Sequence, residues 1–443
     1  MHHKRKETTV LLRFEVANHR SIKDPVELSM IAVDDDRPAA RSFESLAERV
    51  LTVAGIYGPN ASGKSNVIDS LAWLSIAVAR SLRTWDEFIP RDPFKFEHGP
   101  DEPSSFEVEM MVSGVRYSYA LELRNTEVVF EGLYSYPEKR RRSLFERDGM
   151  DLHFRRGLGG LAGVRELLTP TTLALSAAMR FDREDVRAFG RTLANIGILG
   201  PRSRRPNRRL DPAWHSPTRF HSTQRMFYNE VETEAPSSAA TRGSETYDDR
   251  DAALTLLRFA DLGIEDIEVT EEQISNENLP GITGSRFHLR LIHRAAGQQV
   301  PFEIAEESEG TQTWFRLIGP TLQALRTGQT LLFDEIDASL HPRLSAKLLE
   351  LFQDPETNPR NAQLIFTTHD TSLLNHLNRD EVWLTEKGPN AATTLTALAE
   401  YGGDKVRRSL NLEKAYLQGR FGAVPELDQQ LLRRALGLTP EGR

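Results

Sequence analysis

The chain contains no cysteine, so neither a disulfide framework nor a thiolate metal site can form. It has no apolar run of about 18 residues and no apolar signal segment, because its first ten residues are rich in charge. We therefore expect no membrane-spanning segment and cytoplasmic residence. The net charge is -8, which excludes a protein that is basic over its whole surface. Any contact with nucleic acid must then use a local basic patch.

What the chain does have is the composition of a globular protein, with 39% hydrophobic and 27% charged residues. Its 443 residues exceed one simple domain and predict two or three units. Residues 8–33 predict two strands joined by a turn. Period-two alternation from Phe106 to Phe154 predicts consecutive antiparallel strands, with hairpin turns at Ser113-Gly114 and Asp148-Gly149. Residues 160–200 are typical of helices.

A complete G-x-x-x-x-G-K-[ST] pattern is the most informative segment of the chain. It consists of Gly58, Pro59, Asn60, Ala61, Ser62, Gly63, Lys64 and Ser65. Such glycines let backbone N–H groups face phosphates, and the start of the following helix adds a positive dipole end. We expect Lys64 to reach the β- and γ-phosphates of ATP and the Ser65 hydroxyl to hold Mg²⁺.

The context of this loop favours a nucleotide site over the alternative, a glycine-rich surface turn. A hydrophobic run, Val50 to Tyr57, predicts a strand that leads into the loop, and Asn66 to Leu82 predicts a helix that follows it. Asn66, the first residue after the loop, is included among the predicted nucleotide-binding residues.

Two further buried strands end in residues suited to phosphate chemistry. The run Thr330 to Phe333 is followed by Asp334, expected to orient the Mg²⁺ water shell, and by Glu335, expected to act as general base. The other strand ends at His369, which could hydrogen-bond the γ-phosphate or the attacking water. Taken singly, the alternatives are a solvated acidic turn and a structural histidine.

The segment Glu307 to Gln312, about two dozen residues before Asp334, predicts the start of a helix. Ser308, Gly310 and the backbone N–H groups of a helix start can form an anion site. An ordinary capping box is the alternative for this segment alone.

Together these motifs resemble the ABC-type ATPase heads of the SMC and RecF group. The phosphate loop GPNASGKS matches, as do the LLFDE strand, the D-loop-like stretch Ile336 to Leu340, and the switch histidine His369. The signature is degenerate: ESEGTQ stands where the family has LSGGQ-like residues and keeps the serine and the second glycine. Pro93 to Phe96, where the Q-loop is expected, has no glutamine, so coupling to the inserted domain is expected to use another side chain.

The resemblance implies an α/β fold: an ABC-type P-loop ATPase head with an antiparallel β subdomain and an inserted helical segment. The implied division is 1–90 for the N-terminal lobe of the head with the phosphate loop, 91–158 for the antiparallel β subdomain, 159–251 for a helical and charged insertion, 252–400 for the C-terminal lobe with signature, acidic strand and switch histidine, and 401–443 for a tail.

A narrower resemblance is to bacterial ABC-like ATPases of anti-phage and restriction-associated loci, including Rlo-type proteins and the ATPase subunits of PARIS- and Septu-like systems. It rests on four stretches: Asn18 to Ser21, Ser308 to Gln312, Asp334 to Pro342, and Leu412 to Pro425. It implies a catalytic set of Glu335, His369 and Lys64, and nucleotide contacts from Ser308 and Gly310.

In such heads one nucleotide lies between the phosphate loop of one subunit and the signature of another. One copy of each motif implies a homodimer or a ring of dimers. Larger relatives carry a TOPRIM nuclease, whereas here 74 residues follow His369 without its acidic pattern. A separate effector, a nuclease or toxin, is therefore the expected partner. The tail around Tyr416 to Arg420 is either a docking surface for it or packing against the head.

The segment from Arg202 to Arg225 contains seven arginines and one aspartate, whereas residues 226–251 contain seven acidic residues and two arginines. With Trp214 and Phe220 interleaved, this basic segment could bind nucleic acid; a solvated loop or a binding site for an acidic partner is the alternative.

Two functions remain open: a sensor and regulator in phage defence that controls an effector, and a RecF-like repair or chromosome-maintenance ATPase acting directly on DNA.

Overall fold

The computed structural model describes residues 9–155, 163–200, 223–228, 245–260, 263–275, 283–338, 340–401, 410–423 and 433–436. Most of the predicted basic segment, including Arg202 to Arg219, lies outside the described residues. The described part contains two extended sheets. One cluster of buried apolar side chains includes residues of both sheets, and a second contains the alternate residues of the strands β5 (Val53–Tyr57), β15 (Thr330–Phe333) and β16 (Gln363–Thr367).

The first sheet is antiparallel and has seven strands, in the order β10-β9-β8-β7-β6-β1-β2. Its strands are β1 (Thr9–Ala17), β2 (Val26–Ser29), β6 (Ser104–Val112), β7 (Val115–Leu123), β8 (Val128–Ser135), β9 (Arg142–Asp148) and β10 (Asp151–Phe154). The predicted antiparallel strands are thus confirmed, and two strands from the chain start join them. Alternating burial along β1 gives one face to the core.

One predicted turn in this sheet is confirmed and the other is displaced. Ser113 and Gly114 have φ of 50° and 79°, as a two-residue hairpin loop with positive φ requires. The second loop comprises Gly149 and Met150 rather than Asp148-Gly149, because Asp148 still pairs with Asp151. Gly149, at φ 55°, begins this loop since glycine adopts positive φ without a steric penalty.

The second sheet has six strands in the order β11-β15-β16-β5-β17-β18 and is parallel except for β18. Its strands are β5 (Val53–Tyr57), β11 (Gly197–Leu199), β15 (Thr330–Phe333), β16 (Gln363–Thr367), β17 (Val382–Lys387) and β18 (Thr393–Ala397). Every residue of β5, β15 and β16 is buried, as in parallel sheets covered on both faces.

Two sequence predictions about this sheet need correction. The run Val50 to Tyr57 is two strands, because β4 (Val50–Leu51) pairs with β3 (Ala40–Arg41) and only β5 enters the sheet. Residues 197–199 were predicted as helix but form β11, which pairs with β15. Three residues are too few to show a strand period, so pairing with a buried neighbour decides their conformation.

The helices are α1 (Lys64–Thr84), α2 (Val164–Leu167), α3 (Ala174–Ala178), α4 (Glu184–Ala194), α5 (Thr223–Tyr228), α6 (Glu245–Ala260), α7 (Glu309–Thr327), α8 (Pro342–Gln353) and α9 (Leu412–Leu417). A three-stranded meander, β12 (Ile264–Ser275), β13 (Thr283–Ala295) and β14 (Gln298–Glu303), precedes α7. Within the described residues, none of the helices is long and apolar enough to cross a membrane.

The described tail, residues 410–423, packs against the head. The Tyr416 ring lies 6.1 Å from that of Tyr57, and the Tyr416 hydroxyl donates to the Ala423 carbonyl at 2.7 Å. Of the two alternatives for this tail, packing therefore applies to Tyr416, which is buried, whereas Leu417 is exposed.

Candidate functional site

Three parallel strands bring the predicted residues to one edge of the second sheet. The phosphate loop follows the carboxyl end of β5, Asp334 and Glu335 follow β15, and His369 comes two residues after β16. Because these strands are neighbours in the order β15-β16-β5, the three segments adjoin one another, as expected at the carboxyl edge of an open α/β sheet.

The phosphate loop curls against the β17–β18 hairpin so closely that two of its glycines have no room for a side chain. Gly58 has φ 149°, and a Cβ there would lie 2.4 Å from the Thr385 carbonyl oxygen. Gly63 has φ 110°, and its Cβ would lie 2.1 Å from Thr393 Oγ1. Pro59 is partly buried, whereas Asn60 and Ala61 are exposed at the tip.

Lys64 is a buried cation held only by neutral groups. Its Nζ donates to the carbonyls of Gly58 at 2.8 Å and Pro59 at 3.1 Å, and lies 3.5 Å from His369 Nδ1. The residue is 5% exposed, and no described carboxylate forms a salt bridge with it. Burial lowers the pKa of Lys64 to about 8, against the opposing effect of Asp337, Asp334 and Glu335.

Hydroxyl groups hold the outer side of the loop. Ser62 Oγ shares a hydrogen bond of 2.6 Å with Thr385 Oγ1, and the Thr393 hydroxyl donates to the Ser62 carbonyl at 2.7 Å. Ser21 Oγ lies 2.7 Å from Thr393 Oγ1 and accepts a 2.5 Å bond from Asn66 Nδ2. The turn between β1 and β2 is thereby tied to the first turn of α1.

Thr367 places both acidic residues. Its hydroxyl donates to Asp334 Oδ1 at 2.8 Å and accepts from the Glu335 N–H at 2.7 Å. Asp334 is buried. Glu335 has φ 58°, a left-handed conformation that costs about 1–2 kcal/mol in a residue other than glycine, and such strain is often found at functional sites.

Gly200, just after β11, lies against the same acidic segment. The Asp334 N–H donates to the Leu199 carbonyl at 3.0 Å. A Cβ on Gly200, which has φ 109°, would lie 2.2 Å from the Asp334 carbonyl oxygen. The edge strand can therefore support Asp334 only because residue 200 is glycine.

His369 stands between Lys64 and the D-loop-like stretch. The backbone N–H of His369 donates to both carboxylate oxygens of Asp337, each at 3.2 Å. Burial and the nearby Lys64 lower the pKa of His369, and Asp337, Glu335 and Asp334 act in the opposite direction. The ring is therefore neutral near pH 7, able to donate or accept one hydrogen bond. Ser339 of the same stretch lies outside the described residues.

The predicted signature segment begins a helix, as expected. Ser308 is the N-cap of α7 and accepts from the Thr311 N–H at 3.1 Å, while Gln312 Nε2 donates to the Glu307 carbonyl at 3.0 Å. Ser308 is exposed and Gly310 partly exposed. Glu307 of this segment also bonds His293 on β13, at 2.7 Å.

A family profile described as "AAA domain, putative AbiEii toxin, Type IV TA system" matches residues 53–375. That range runs from β5 past His369 and includes the phosphate loop, the signature segment and the acidic strand. The chain belongs to this AAA-domain family.

Other comparisons add little to this assignment. No protein of curated function matches the chain. The solved SMC head domain from Thermotoga maritima is similar at 14% identity, over 87% of this chain and 98% of that one, with a TM-score of 0.38. Such a score is too low to bear on function.

The AAA protein also contains site residues that motif reading missed. These are Thr367, Thr385, Thr393 and Gly200. The Thr367-Thr368 pair before His369 was a usable signal, since a hydroxyl at a strand end can hold a neighbouring carboxylate. No local signal identifies Thr385 or Thr393, whose partner Ser62 lies more than 300 residues away.

Few candidate metal ligands lie together in the part of the AAA protein that the structure describes. No group of three His, Asp or Glu side chains converges as a metal site within the described residues. Asp34, in an acidic triplet, is instead paired with Arg379 at 2.8 Å. Ser65, in the first turn of α1, and Asp334 fit Mg²⁺ only as it commonly binds beside phosphates, with one or two protein ligands and the rest from substrate and water.

Proposed function

We propose that this AAA protein binds ATP with Mg²⁺ at the phosphate loop and hydrolyses it. The observation that supports this best is Lys64, a buried ammonium whose hydrogen-bond partners are two carbonyl oxygens and the His369 ring nitrogen, all of them neutral. Isolated buried charges are costly, and the curled loop above Lys64 has the conformation that binds phosphates through its N–H groups. An anion with several oxygens would exchange these neutral partners for charged ones.

The other residues have distinct roles in this proposal. Ser65 and Asp334 would hold Mg²⁺, which neutralises phosphate charge when bound. Glu335, whose backbone N–H bonds the Thr367 hydroxyl, accepts a proton from the attacking water. Neutral His369, close to Lys64, donates a hydrogen bond to a γ-phosphate oxygen. Product release then returns Lys64 to the carbonyls of Gly58 and Pro59.

The Glu335→Gln variant tests the hydrolytic part. It keeps the size of the side chain and removes the base, so turnover should fall by about 10²- to 10⁴-fold while ATP still binds. Phosphate release and binding of a fluorescent ATP analogue measure the two effects. Glu386→Gln, outside the acidic strand, is the matched control and should hydrolyse normally. Unchanged turnover in Glu335→Gln would contradict the role of Glu335.

We further propose that two copies share each nucleotide. The signature segment of α7 is solvent-exposed and its hydroxyl is engaged only locally, so Ser308 and Gly310 can meet the γ-phosphate bound by Lys64 of a second copy. ATP then links two heads and hydrolysis releases them, which converts binding energy into association.

The output of this switch is proposed to be a separate effector, a nuclease or toxin, in a defence system. The description of the matched family names a toxin of a type IV toxin–antitoxin system, which supports defence or growth control over chromosome maintenance. Expression with the neighbouring gene should give phage resistance or growth arrest that Lys64→Ala abolishes. Full protection by the chain alone, or no effector recovered on purification with ATP, would contradict it.

Direct action on DNA is the second candidate, and the ends of the basic segment favour it. Gly200 lies against Asp334, and the Thr223 hydroxyl contacts the Phe315 carbonyl and the Gly319 N–H of α7. The two described residues that flank this segment, Gly200 and Thr223, thus contact the acidic strand and the signature helix. Neutralising Arg204, Arg205, Arg208 and Arg209 should weaken binding equally for all sequences and flatten its salt dependence. An unaltered salt slope would exclude this role for the segment.

A further inference from the structure

A cavity of about 590 Å³ lies near the amino ends of the parallel strands, away from the phosphate loop. Its walls come from α8, from the connection between α8 and β16, from the segment before β17, and from the loop at residues 37–39. The volume falls in the range of small-molecule sites and is far larger than one buried water needs. None of the phosphate-loop residues lines it.

The cavity contains a buried carboxylate that lacks a full set of partners. Glu381 is 0% exposed. Its Oε2 accepts from the Asn378 N–H at 2.7 Å and lies 2.8 Å from Arg37, whereas its Oε1 is buried without a hydrogen-bond partner among the described residues. An unsatisfied buried oxygen of this kind destabilises the protein by about 1–3 kcal/mol. A hydrogen-bond donor from a ligand would remove this cost.

The charges around the cavity indicate the sign of that ligand. Three acidic side chains line it, Glu350, Asp354 and Glu381, against two cationic ones, Arg37 and Lys347. Both cations are already paired: Lys347 lies 2.9 Å from Glu350, and Arg37 bonds Glu381 and also Asp380 behind it. The cationic groups are thus engaged, while the buried Glu381 Oε1 has no hydrogen-bond partner among the described residues.

We propose that this cavity binds a small organic cation, an amine or guanidine, through an N–H group donated to Glu381. Charge-assisted hydrogen bonds to a carboxylate are the stronger kind, and the apolar side chains of Leu351 and Leu377 in the wall suit the alkyl part of such a molecule. Burial raises the pKa of Glu381 and Arg37 acts against it; a bound cation would favour the ionised form further.

The site is separate from the phosphate loop but shares a strand with it. The Glu381 carbonyl accepts a hydrogen bond from the Gly55 N–H at 2.7 Å. Gly55 lies three residues before the phosphate loop, which is about 10 Å along β5 at about 3.3 Å per residue. Thr385, which supports the loop, lies on the same β17. The proposed binding needs no nucleotide, so it stands or falls independently of ATP hydrolysis.

The test is calorimetric titration of the full chain, without nucleotide, with agmatine and with putrescine. We expect saturable binding of at least one of them, at one per chain. Glu381→Gln should weaken it by about tenfold or more, the loss of a charged acceptor. Glu356→Gln is the matched control, because this exposed residue lies on the same connection but outside the cavity wall, and should bind as the parent does.

Glu381→Gln also removes the charged partner of Arg37 and could weaken binding by destabilising the fold. A second variant separates these two effects. Leu351→Trp fills the cavity and leaves both polar partners in place, so it should abolish binding while thermal unfolding stays cooperative. Absence of saturable binding in the millimolar range, or equal binding by the parent, Glu381→Gln and Leu351→Trp, would overturn the proposal. The latter result would assign the cation to the general acidic surface.

Discussion

At the scale of single residues, the site depends on side chains that orient others. Thr367 contacts Asp334 and Glu335 at once, although it has no place in the motifs. A threonine at a strand end thus holds the carboxylate of Asp334 and the backbone of Glu335.

Thr367→Val should therefore lower turnover by roughly 10- to 100-fold, which corresponds to about 1–3 kcal/mol for lost hydrogen bonds at a buried site. ATP affinity should change little, because Lys64 and the loop are intact. Steady-state kcat and equilibrium binding measure the two quantities. Thr367→Ser keeps the hydroxyl and should retain most of the activity. Unchanged turnover in Thr367→Val, which keeps the volume and removes the hydroxyl, would contradict this role of Thr367.

The charge of Lys64 leads to a prediction about pH. Its pKa in the free protein is about 8, and phosphates would favour the charged form, so the pKa in the complex lies higher. Below pH 8 the free lysine is already charged and affinity is flat. Above pH 8 binding takes up a proton, and affinity should fall by up to about tenfold per pH unit.

Binding of a non-hydrolysable ATP analogue between pH 7 and pH 9 tests this. Lys64→Arg is the control, because arginine stays charged over that range and its profile should be flat. A flat profile in the parent protein would mean that Lys64 does not change protonation on binding.

At the scale of elements, the β17–β18 hairpin supports the phosphate loop from outside. Thr393 contacts Ser21 and the Ser62 carbonyl, and it occupies the space beside Gly63. The loop conformation is therefore a property of three chain segments rather than of the eight-residue motif.

We expect Thr393→Val to weaken ATP binding by about tenfold, because two hydrogen bonds beside the loop are lost, to the Ser62 carbonyl and to Ser21. Thr394→Val is the matched control, since Thr394 is the exposed neighbour on the same strand. Fluorescent-nucleotide titration compares them, with thermal unfolding as a check on stability. If Thr394→Val weakens binding as much as Thr393→Val, strand propensity and not the hydroxyl network explains the effect.

Some secondary-structure elements were predictable from the sequence and others were not. The antiparallel strands from Phe106 to Phe154 were predictable because alternating burial repeats over many residues. β11 was not, because its three residues carry no period and are held as a strand by pairing with β15. The displaced turn at Gly149-Met150 is a register effect that depends on the partner strand.

At the scale of the whole molecule, the proposed sandwich predicts complementation. A mixture of Lys64→Ala chains and Ser308→Arg chains forms mixed dimers with one intact phosphate loop facing one intact signature. ATPase activity should recover to about one working site per mixed dimer, whereas each variant alone is inactive. Lys64→Ala mixed with Glu335→Gln is the control: both lesions affect the same half of a site, so no activity should return.

Subunit-exchange fluorescence confirms that the chains mix. Exchange without recovery in the first mixture would contradict the shared site, and recovery in the control mixture would do so as well.

The residues of the phosphate loop, the acidic strand and the signature helix could be identified from the sequence, because each is a local pattern of a few residues with a direct chemical meaning. How these segments meet, and which residues hold them, is visible only in the folded chain. Four features join residues that are far apart in the chain. They are the carboxyl ends of β15, β16 and β5, the hydrogen bond between Thr385 and Ser62, the contact of Gly200 with Asp334, and the cavity at Glu381. Such contacts follow from strand order and packing, which no local pattern encodes.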